Sequence, residues 1–297
     1  MRCGVLILPE QRWSRAAQRW RAAEEMGFDS AWTYDHLWWD PLRDGAWFSA
    51  FPVLTAAAAV TSRIRLGTLV TSPSFRHPVT TAKDVVTVDD ISGGRFTLGI
   101  GAGAENSGDA AALGTQVQRR ERFERFEEFV DLSDELLRND VTNYRGKFYS
   151  AVDVRMTPGC RQLPRVPIAV AAAGRRGIEL AARRGDAYVS LGPPDLSGKY
   201  TPDDVREIVG QQLGELSRAC ERAGTDFAGM DKIYATTGYT GDFLDSPEKF
   251  LRTAESYAAA GVTELVVHWP RESGVYAADF ATFEKIAEEA LPRIRRL

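Results

Sequence analysis

Residues 64–103 constrain the fold more tightly than any other stretch of this chain. An apolar strand, Ile64–Val70, runs into a loop of Thr, Ser, Pro, Phe, Arg and His. A one-sided helix follows, with apolar residues at Ala82, Val85, Val86, Val88 and Ile91. Ser92-Gly93-Gly94 stops it, and a second apolar strand, Phe96–Ile100, ends in Gly101-Ala102-Gly103. Two strands joined in this way are parallel, and the crossover is right-handed. Both then point their C-terminal ends to one side of the sheet, where parallel α/β folds hold their ligands.

The alternation continues along the chain. Further strands are expected at Cys3–Leu8, Ser30–Tyr34, Ile168–Ala172, Ala187–Leu191, Ile233–Gly238 and Glu264–His268. The first helix is expected to start at a Ser14 cap, carry Ala16, Trp20, Ala23 and Met26 on one face, and close at Gly27. Phe51–Thr61 is alanine-rich and apolar nearly all round, so it is expected to be buried, with a second subunit as one candidate cover. Gln118–Arg138 is amphipathic, with Phe123, Phe126, Val130 and Leu137 as its buried stripe. Later helices run to Arg184, over Pro202–Ala223, from the cap Ser246-Pro247-Glu248, and over Phe280–Ile294. Tyr144–Tyr149 and the Pro/Gly-rich run to Pro167 form an excursion of turns and short strands.

Eight strands alternating with eight helices predict a single (β/α)8 TIM-barrel domain over 1–297. Its insertions are expected in the C-terminal-face loops, beyond the typical length of about 250 residues. A doubly wound open sheet is the competitor. The unbroken alternation, with no shift in composition, favours the closed barrel.

The chain is 44% hydrophobic and 26% charged, with a net charge of −4. Such a balance offers no electrostatic case for nucleic acid. No apolar run approaches the roughly 20 residues of a membrane span, and the opening MRCGVLILPEQ reads as a strand rather than a leader. Cys3, Cys160 and Cys220 are far apart and odd in number, which suits a reduced, cytoplasmic chain. Neither Cys-x-x-Cys nor His-x-His occurs, so no metal site is expected.

The chemistry gathers at strand ends. His36, His77 and His268 follow the second, third and last barrel strands, whose loops meet at one end of a closed barrel. Histidine suits proton transfer near neutral pH. Gly101-Ala102-Gly103 permits close approach of a ligand to backbone. Gly174-Arg175-Arg176-Gly177 lies between a strand and a helix, whose free N–H groups and dipole attract phosphate. Trp38-Trp39, just past a strand end, reads as a pocket wall for a flat ring.

Several motifs together resemble the luciferase-like flavin- and deazaflavin-dependent oxidoreductases. They are Phe28-Asp29-Ser30-Ala31-Trp32 with Asp35-His36, Leu66-Gly67-Thr68 leading to Pro78, Asp89-Asp90-Ile91-Ser92-Gly93-Gly94-Arg95-Phe96, and Leu98–Gly103. The likeness continues through Tyr144–Tyr149 and Ala171–Arg184. It implies a TIM barrel, commonly dimeric, that binds coenzyme F420 or FMN at the C-terminal end. It also implies a non-proline cis peptide at Leu69–Val70, backing the middle of the isoalloxazine ring. By the same resemblance Thr71 and Ser72 would bond the ring, Gly103 and Ala104 would line its far edge, and Ala173, Gly174 and Arg175 would receive the phosphate. Arg175, Arg176 and Lys199 would supply cations for an oligoglutamate tail. Asp35 and His36 would face the reactive centre, with Trp38, Trp39, His77 and His268 around the substrate. Sugar-phosphate dehydrogenases of the family carry a tryptophan where this chain has Asp40, and a glutamate where it has Ala104, with Glu105 one place late. Both departures argue against a glucose-6-phosphate substrate.

The leading expectation is an F420-dependent oxidoreductase that moves a hydride between deazaflavin C5 and a small organic substrate. Reduction of an activated C=C or C=N bond is one such reaction, with His36, Asp35 and Glu105 as catalytic residues. An FMN-dependent monooxygenase served by a separate flavin reductase is the alternative. A metal-dependent barrel isomerase or hydrolase and a non-catalytic flavin-binding barrel stand behind it. A homodimer is expected.

Overall fold

The computed structural model describes residues 1–104, 107–193, 200–236 and 243–297. In chain order its elements are β1 (Arg2–Leu6), α1 (Trp13–Glu25), β2 (Ser30–Thr33), α2 (Ala50–Val60), β3 (Arg65–Thr68), α3 (Pro78–Ser92) and β4 (Phe96–Gly101). There follow α4 (Gly108–Leu113), α5 (Arg119–Arg138), β5 (Val141–Arg145), β6 (Ser150–Arg155), β7 (Ile168–Ala171), α6 (Arg175–Arg184) and β8 (Ala187–Ser190). The last are α7 (Pro202–Ala223), β9 (Asp231–Ala235), α8 (Pro247–Ala259), β10 (Glu264–His268), α9 (Phe280–Glu289) and α10 (Leu291–Ile294). Eight strands close a barrel in the order β1-β10-β9-β8-β7-β4-β3-β2, while β5 and β6 form a separate two-stranded sheet.

The barrel strands are short and almost wholly buried: every residue of β2, β4, β7, β8 and β10 is buried. Parallel strands covered on both faces need such continuous apolar runs. Helix starts are written locally. Thr201 and Asp204 form a capping box on α7, Ser246 caps α8 ahead of Pro247, and Gly93 ends α3 in the left-handed conformation at φ 70°.

By their contacts the residues group into two compact units, Met1–Ile7 with Arg21–Trp32 and Ala171–Leu297, and Leu8–Trp20 with Thr33–Val170. Within the first, Glu264 is 4% exposed. It accepts from Ser30 Oγ at 2.5 Å, Trp32 Nε1 at 3.1 Å and Arg2 Nε at 3.2 Å. Gly4 makes room for this knot, since a Cβ there would run into Ser30 Oγ. Burial raises the carboxyl pKa against the pull of Arg2.

Within the second unit, the Ser92-Gly93-Gly94-Arg95 segment is a fastening. Arg95 donates to the carbonyls of Ala58, Thr61, Ile64 and Ser92, which ties the ends of α2 and α3 to the start of β4. Asp89, fully buried, accepts from the amides of Arg161 and Gln162 and from Gln162 Nε2. These polar anchors explain why Ile91 is 43% exposed rather than on the buried stripe. Asp89 and Ser92 hold the inward positions instead.

Other differences from the sequence reading are local. Helix α1 begins at Trp13, so Ser14 lies inside it rather than at its cap. Phe123 is half-buried, and Phe129, Leu132 and Leu136 complete the α5 stripe. The final helix breaks at Ala290, where Pro292 enters the first turn of α10, the position where a missing N–H is harmless. The excursion before β7 is the β5–β6 hairpin, with a register shift between Thr142 and Tyr144. Thr237 and Gly238, expected to end the seventh strand, lie outside the described residues. No described helix is long and apolar enough to cross a membrane.

Candidate active site

The strand ends of β2, β3 and β4 bring together a set of side chains, all of them in the second unit. Asp35, just beyond β2, is fully buried. Its Oδ2 accepts from Thr71 Oγ1 at 2.9 Å and Arg76 Nε at 3.1 Å, and its Oδ1 from an Arg76 terminal nitrogen at 2.6 Å. The Arg76 guanidinium lies 5.1 Å from the Phe51 ring centre and 4.8 Å from that of Phe75. Both oxygens of Asp35 are therefore engaged in holding the two loops. Asp84 lies half-buried on α3. Desolvation raises its pKa, and Arg76 pulls the other way.

His36 stands beside this anchor with its side chain 20% exposed. Its Nδ1 is 2.6 Å from Asp109 Oδ2, and the Leu37 amide donates to Asp109 Oδ1, also at 2.6 Å. Trp47 Nε1 donates to the His36 carbonyl at 2.9 Å. The imidazole faces Trp39 at 5.3 Å and 30° and meets Tyr34 edge-on at 6.0 Å. Asp109 comes from α4, whose N-cap Ser107 accepts from the Ala110 amide. A Cβ at Gly108 would overlap the Trp38 indole, so this glycine lets α4 close onto the β2 loop.

The peptide Leu69–Val70 is cis, at the position the resemblance implied. Leu69 N–H donates to Thr33 O at 2.8 Å, Thr71 N–H to Gly99 O at 2.8 Å, and Gly101 N–H to Thr71 O at 2.9 Å. Thr71 and Ser72 are buried, while Val70 is half-buried and Ala104 exposed. A Cβ on Gly99 would collide with the Thr68 carbonyl. Gly103, at φ 72°, has Ser74 Oγ where a Cβ would stand. Gly99 lets main chain lie against main chain beside the cis bond, and Gly103 leaves room for the Ser72 and Ser74 side chains.

In the first unit, Gly174 is the N-cap of α6 and supplies no side-chain cap. A Cβ on Gly174 would meet nothing within 4 Å. An uncapped first turn opening on free space suits a phosphate. Ala173 is half-buried just before it, and Arg175 and Arg176 are exposed. Arg175 is paired with Glu179 at 3.0 Å.

The three histidines serve different ends. His77 is exposed and caps α3, its Nδ1 accepting from the Val79 amide at 3.3 Å, with its ring edge-on to Tyr149 at 5.4 Å. His268 is 2% exposed and lies flat on Tyr276, ring centres 3.5 Å apart. Burial pushes its pKa down to about 3, so it is neutral at ordinary pH. Tyr276 reaches this position from a left-handed backbone, φ 62°. Glu105 lies outside the described residues, as does Lys199. Among the described residues no group of three or more His, Cys, Asp or Glu side chains could hold a metal ion.

Asp109 and Arg76 were not picked out from sequence. A signal for Asp109 existed: Ser107 followed by Gly-Asp-Ala is a helix-start pattern. Nothing local tied it to His36.

Known proteins share the fold and part of the sequence. The family model for luciferase-like monooxygenases matches residues 1–248. The chain is 32% identical to an F420-dependent glucose-6-phosphate dehydrogenase of Beutenbergia cavernae, over 92% of this chain and 91% of that one. Among solved structures, a coenzyme F420 dependent tetrahydromethanopterin reductase from Methanopyrus kandleri has the same fold, with TM-score 0.79, 19% identity and 99% of each chain covered. So has an F420-dependent secondary alcohol dehydrogenase solved with an F420-acetone adduct, with TM-score 0.82, 17% identity and 99% of each chain covered. The match over residues 1–248 and the long alignment to the dehydrogenase lead to one conclusion: the chain belongs to the luciferase-like monooxygenase family.

Proposed function

We propose that this protein is a coenzyme F420-dependent oxidoreductase acting on a small organic substrate. One observation carries the reading: the His36–Asp109 couple and the cis Leu69–Val70 peptide sit on adjacent strand ends, β2 and β3. The relatives named for F420 add support, the Beutenbergia cavernae dehydrogenase first among them.

When bound, the deazaflavin supplies hydride exchange at its C5; the protein binds, orients and moves a proton. Leu69 and Val70 would back the ring, Thr71 and Ser72 would bond its edge, and Gly103 and Ala104 would line the far side. Ala173, Gly174 and Arg175 would receive a phosphate at the start of α6, with Arg176 close by in sequence. His36 would exchange a proton with the substrate at Nε2. Asp35, gripped by Arg76, fixes the loop that carries His36. Trp38 and Trp39 would shape the substrate's surroundings within the second unit; His268, in the first, would serve a substrate as a neutral hydrogen-bonding group. Glu105 is a further candidate for proton transfer. A homodimer is part of the same proposal.

The test is a turnover screen with F420 over secondary alcohols, sugar phosphates, enones and imines, following the deazaflavin absorbance. Substrate-dependent change with wild-type protein, lost in His36→Ala, is the expected result. A second reading, an FMN-dependent monooxygenase fed by a separate flavin reductase, draws on the family's own description. Oxygen-dependent turnover with reduced FMN, and none with F420, would select it.

A further inference from the structure

Asp109 is 1% exposed; its Oδ1 accepts from the Leu37 amide and its Oδ2 lies 2.6 Å from His36 Nδ1, both on the loop after β2. We propose that Asp109 is a positioning residue that fixes His36 as the Nδ1–H tautomer and leaves Nε2 to exchange the substrate proton. The catalytic half of this proposal rests on the oxidoreductase reading above.

Donors and acceptors fix the tautomer. The Leu37 amide can only donate, and a carboxylate can only accept. The 2.6 Å contact from His36 Nδ1 to Asp109 therefore requires a hydrogen on Nδ1. Neutral imidazole carries one N–H, so the lone pair is on Nε2. The ring cannot easily turn to exchange the two nitrogens. Its carbonyl is held by Trp47 and the next amide by Asp109, while Trp39 and Tyr34 flank the ring.

The proton step balances without another partner. In the oxidative direction the substrate O–H or N–H bond breaks, its electron pair stays on the heteroatom, and the Nε2–H bond forms. The imidazolium then has two N–H groups, and Asp109 offsets its charge through Nδ1–H. In the reductive direction Nε2 returns the proton and Asp109 keeps its place. The carboxylate acts on the proton through His36 and touches no substrate.

Asp109→Asn separates this role from simple packing. The amide has a single accepting atom, and Leu37 N–H can bond only that atom. The NH2 group must then face Nδ1, which has to accept, so the His36 hydrogen moves to Nε2. With three histidines in the chain, long-range proton–nitrogen spectra can resolve each one, assigned with His77→Gln and His268→Gln. The expected result is Nδ1–H for His36 in the wild type and in Asp109→Glu, and Nε2–H in Asp109→Asn. The same tautomer in wild type and Asp109→Asn, or Nε2–H in the wild type, overturns the proposal. In turnover with F420, Asp109→Asn should lower kcat by about 10²-fold, with the fluorescence-detected F420 Kd unchanged. A kcat equal to wild type overturns the catalytic half. Should the wild type bind no F420, the functional reading fails, and the tautomer comparison still decides whether Asp109 positions His36.

Discussion

Arg76 holds Asp35 by both carboxylate oxygens, at 2.6 and 3.1 Å, with the Asp35 side chain 1% exposed and the Arg76 side chain 19%. The pair joins the loop after β3 to the end of β2, one residue before His36, and Thr71 adds a third bond. Removing one member strands the other in a nearly dry site. Arg76→Ala is expected to cost about 3–5 kcal/mol in urea unfolding. The double variant Asp35→Asn/Arg76→Ala should lose less than the two single changes summed, because the uncompensated charge is gone. Additive losses would mean that the two residues act independently.

His77 gives a contrasting case. Its ring nitrogen caps α3 through the Val79 amide, so His77→Ala should lower stability by about 1 kcal/mol. F420 binding and turnover should stay at wild-type level. A loss of turnover beyond the fraction unfolded would support the substrate-pocket role for His77.

His268 sets a pH dependence. Its ordinary value is 6.5, and burial lowers the folded-state value to about 3. Between those values the unfolded chain binds the extra proton, so the folded state loses stability as pH falls from about 6.5 toward about 3. The slope from this group reaches about 1.4 kcal/mol per pH unit. Unfolding measured between about pH 5 and pH 7 should show the decline, and His268→Phe should flatten it. An equal slope in the variant would assign the effect to other groups.

Gly103 should tolerate no side chain. Its φ of 72° is left-handed, and Ser74 Oγ occupies the place of a Cβ, with Ser72 Oγ 3.1 Å away. Alanine there pushes Ser72 and Ser74 off their positions. Gly103→Ala is expected to weaken F420 about tenfold, roughly 1.4 kcal/mol, in a fluorescence titration. Unchanged affinity would place the ring elsewhere.

The barrel was legible because its signals are local. Strands and helices announce themselves by apolar runs, caps and glycine stops, and α7 and the start of α8 fall where Pro202, Ala223 and Ser246-Pro247 put them. The cis Leu69–Val70 bond was legible by resemblance alone, since neither Leu nor Val signals it. Contacts made across the chain were hidden. Asp109 is 73 residues from His36 and Arg76 is 41 from Asp35, so only folding brings them together. Helix α4 was missed because six residues carry no periodicity worth reading. His77 followed the strand-end rule and still became a cap, because Pro78 starts a helix directly behind it. A strand-end position places a residue on the right face without deciding where its ring turns.

Two fluorescence titrations of the purified protein, one with coenzyme F420 and one with FMN, decide the cofactor. Saturable binding of F420 at micromolar concentration, with no response to FMN, is the predicted result. Tight FMN binding without F420 binding, or no binding of either, would overturn the F420 assignment.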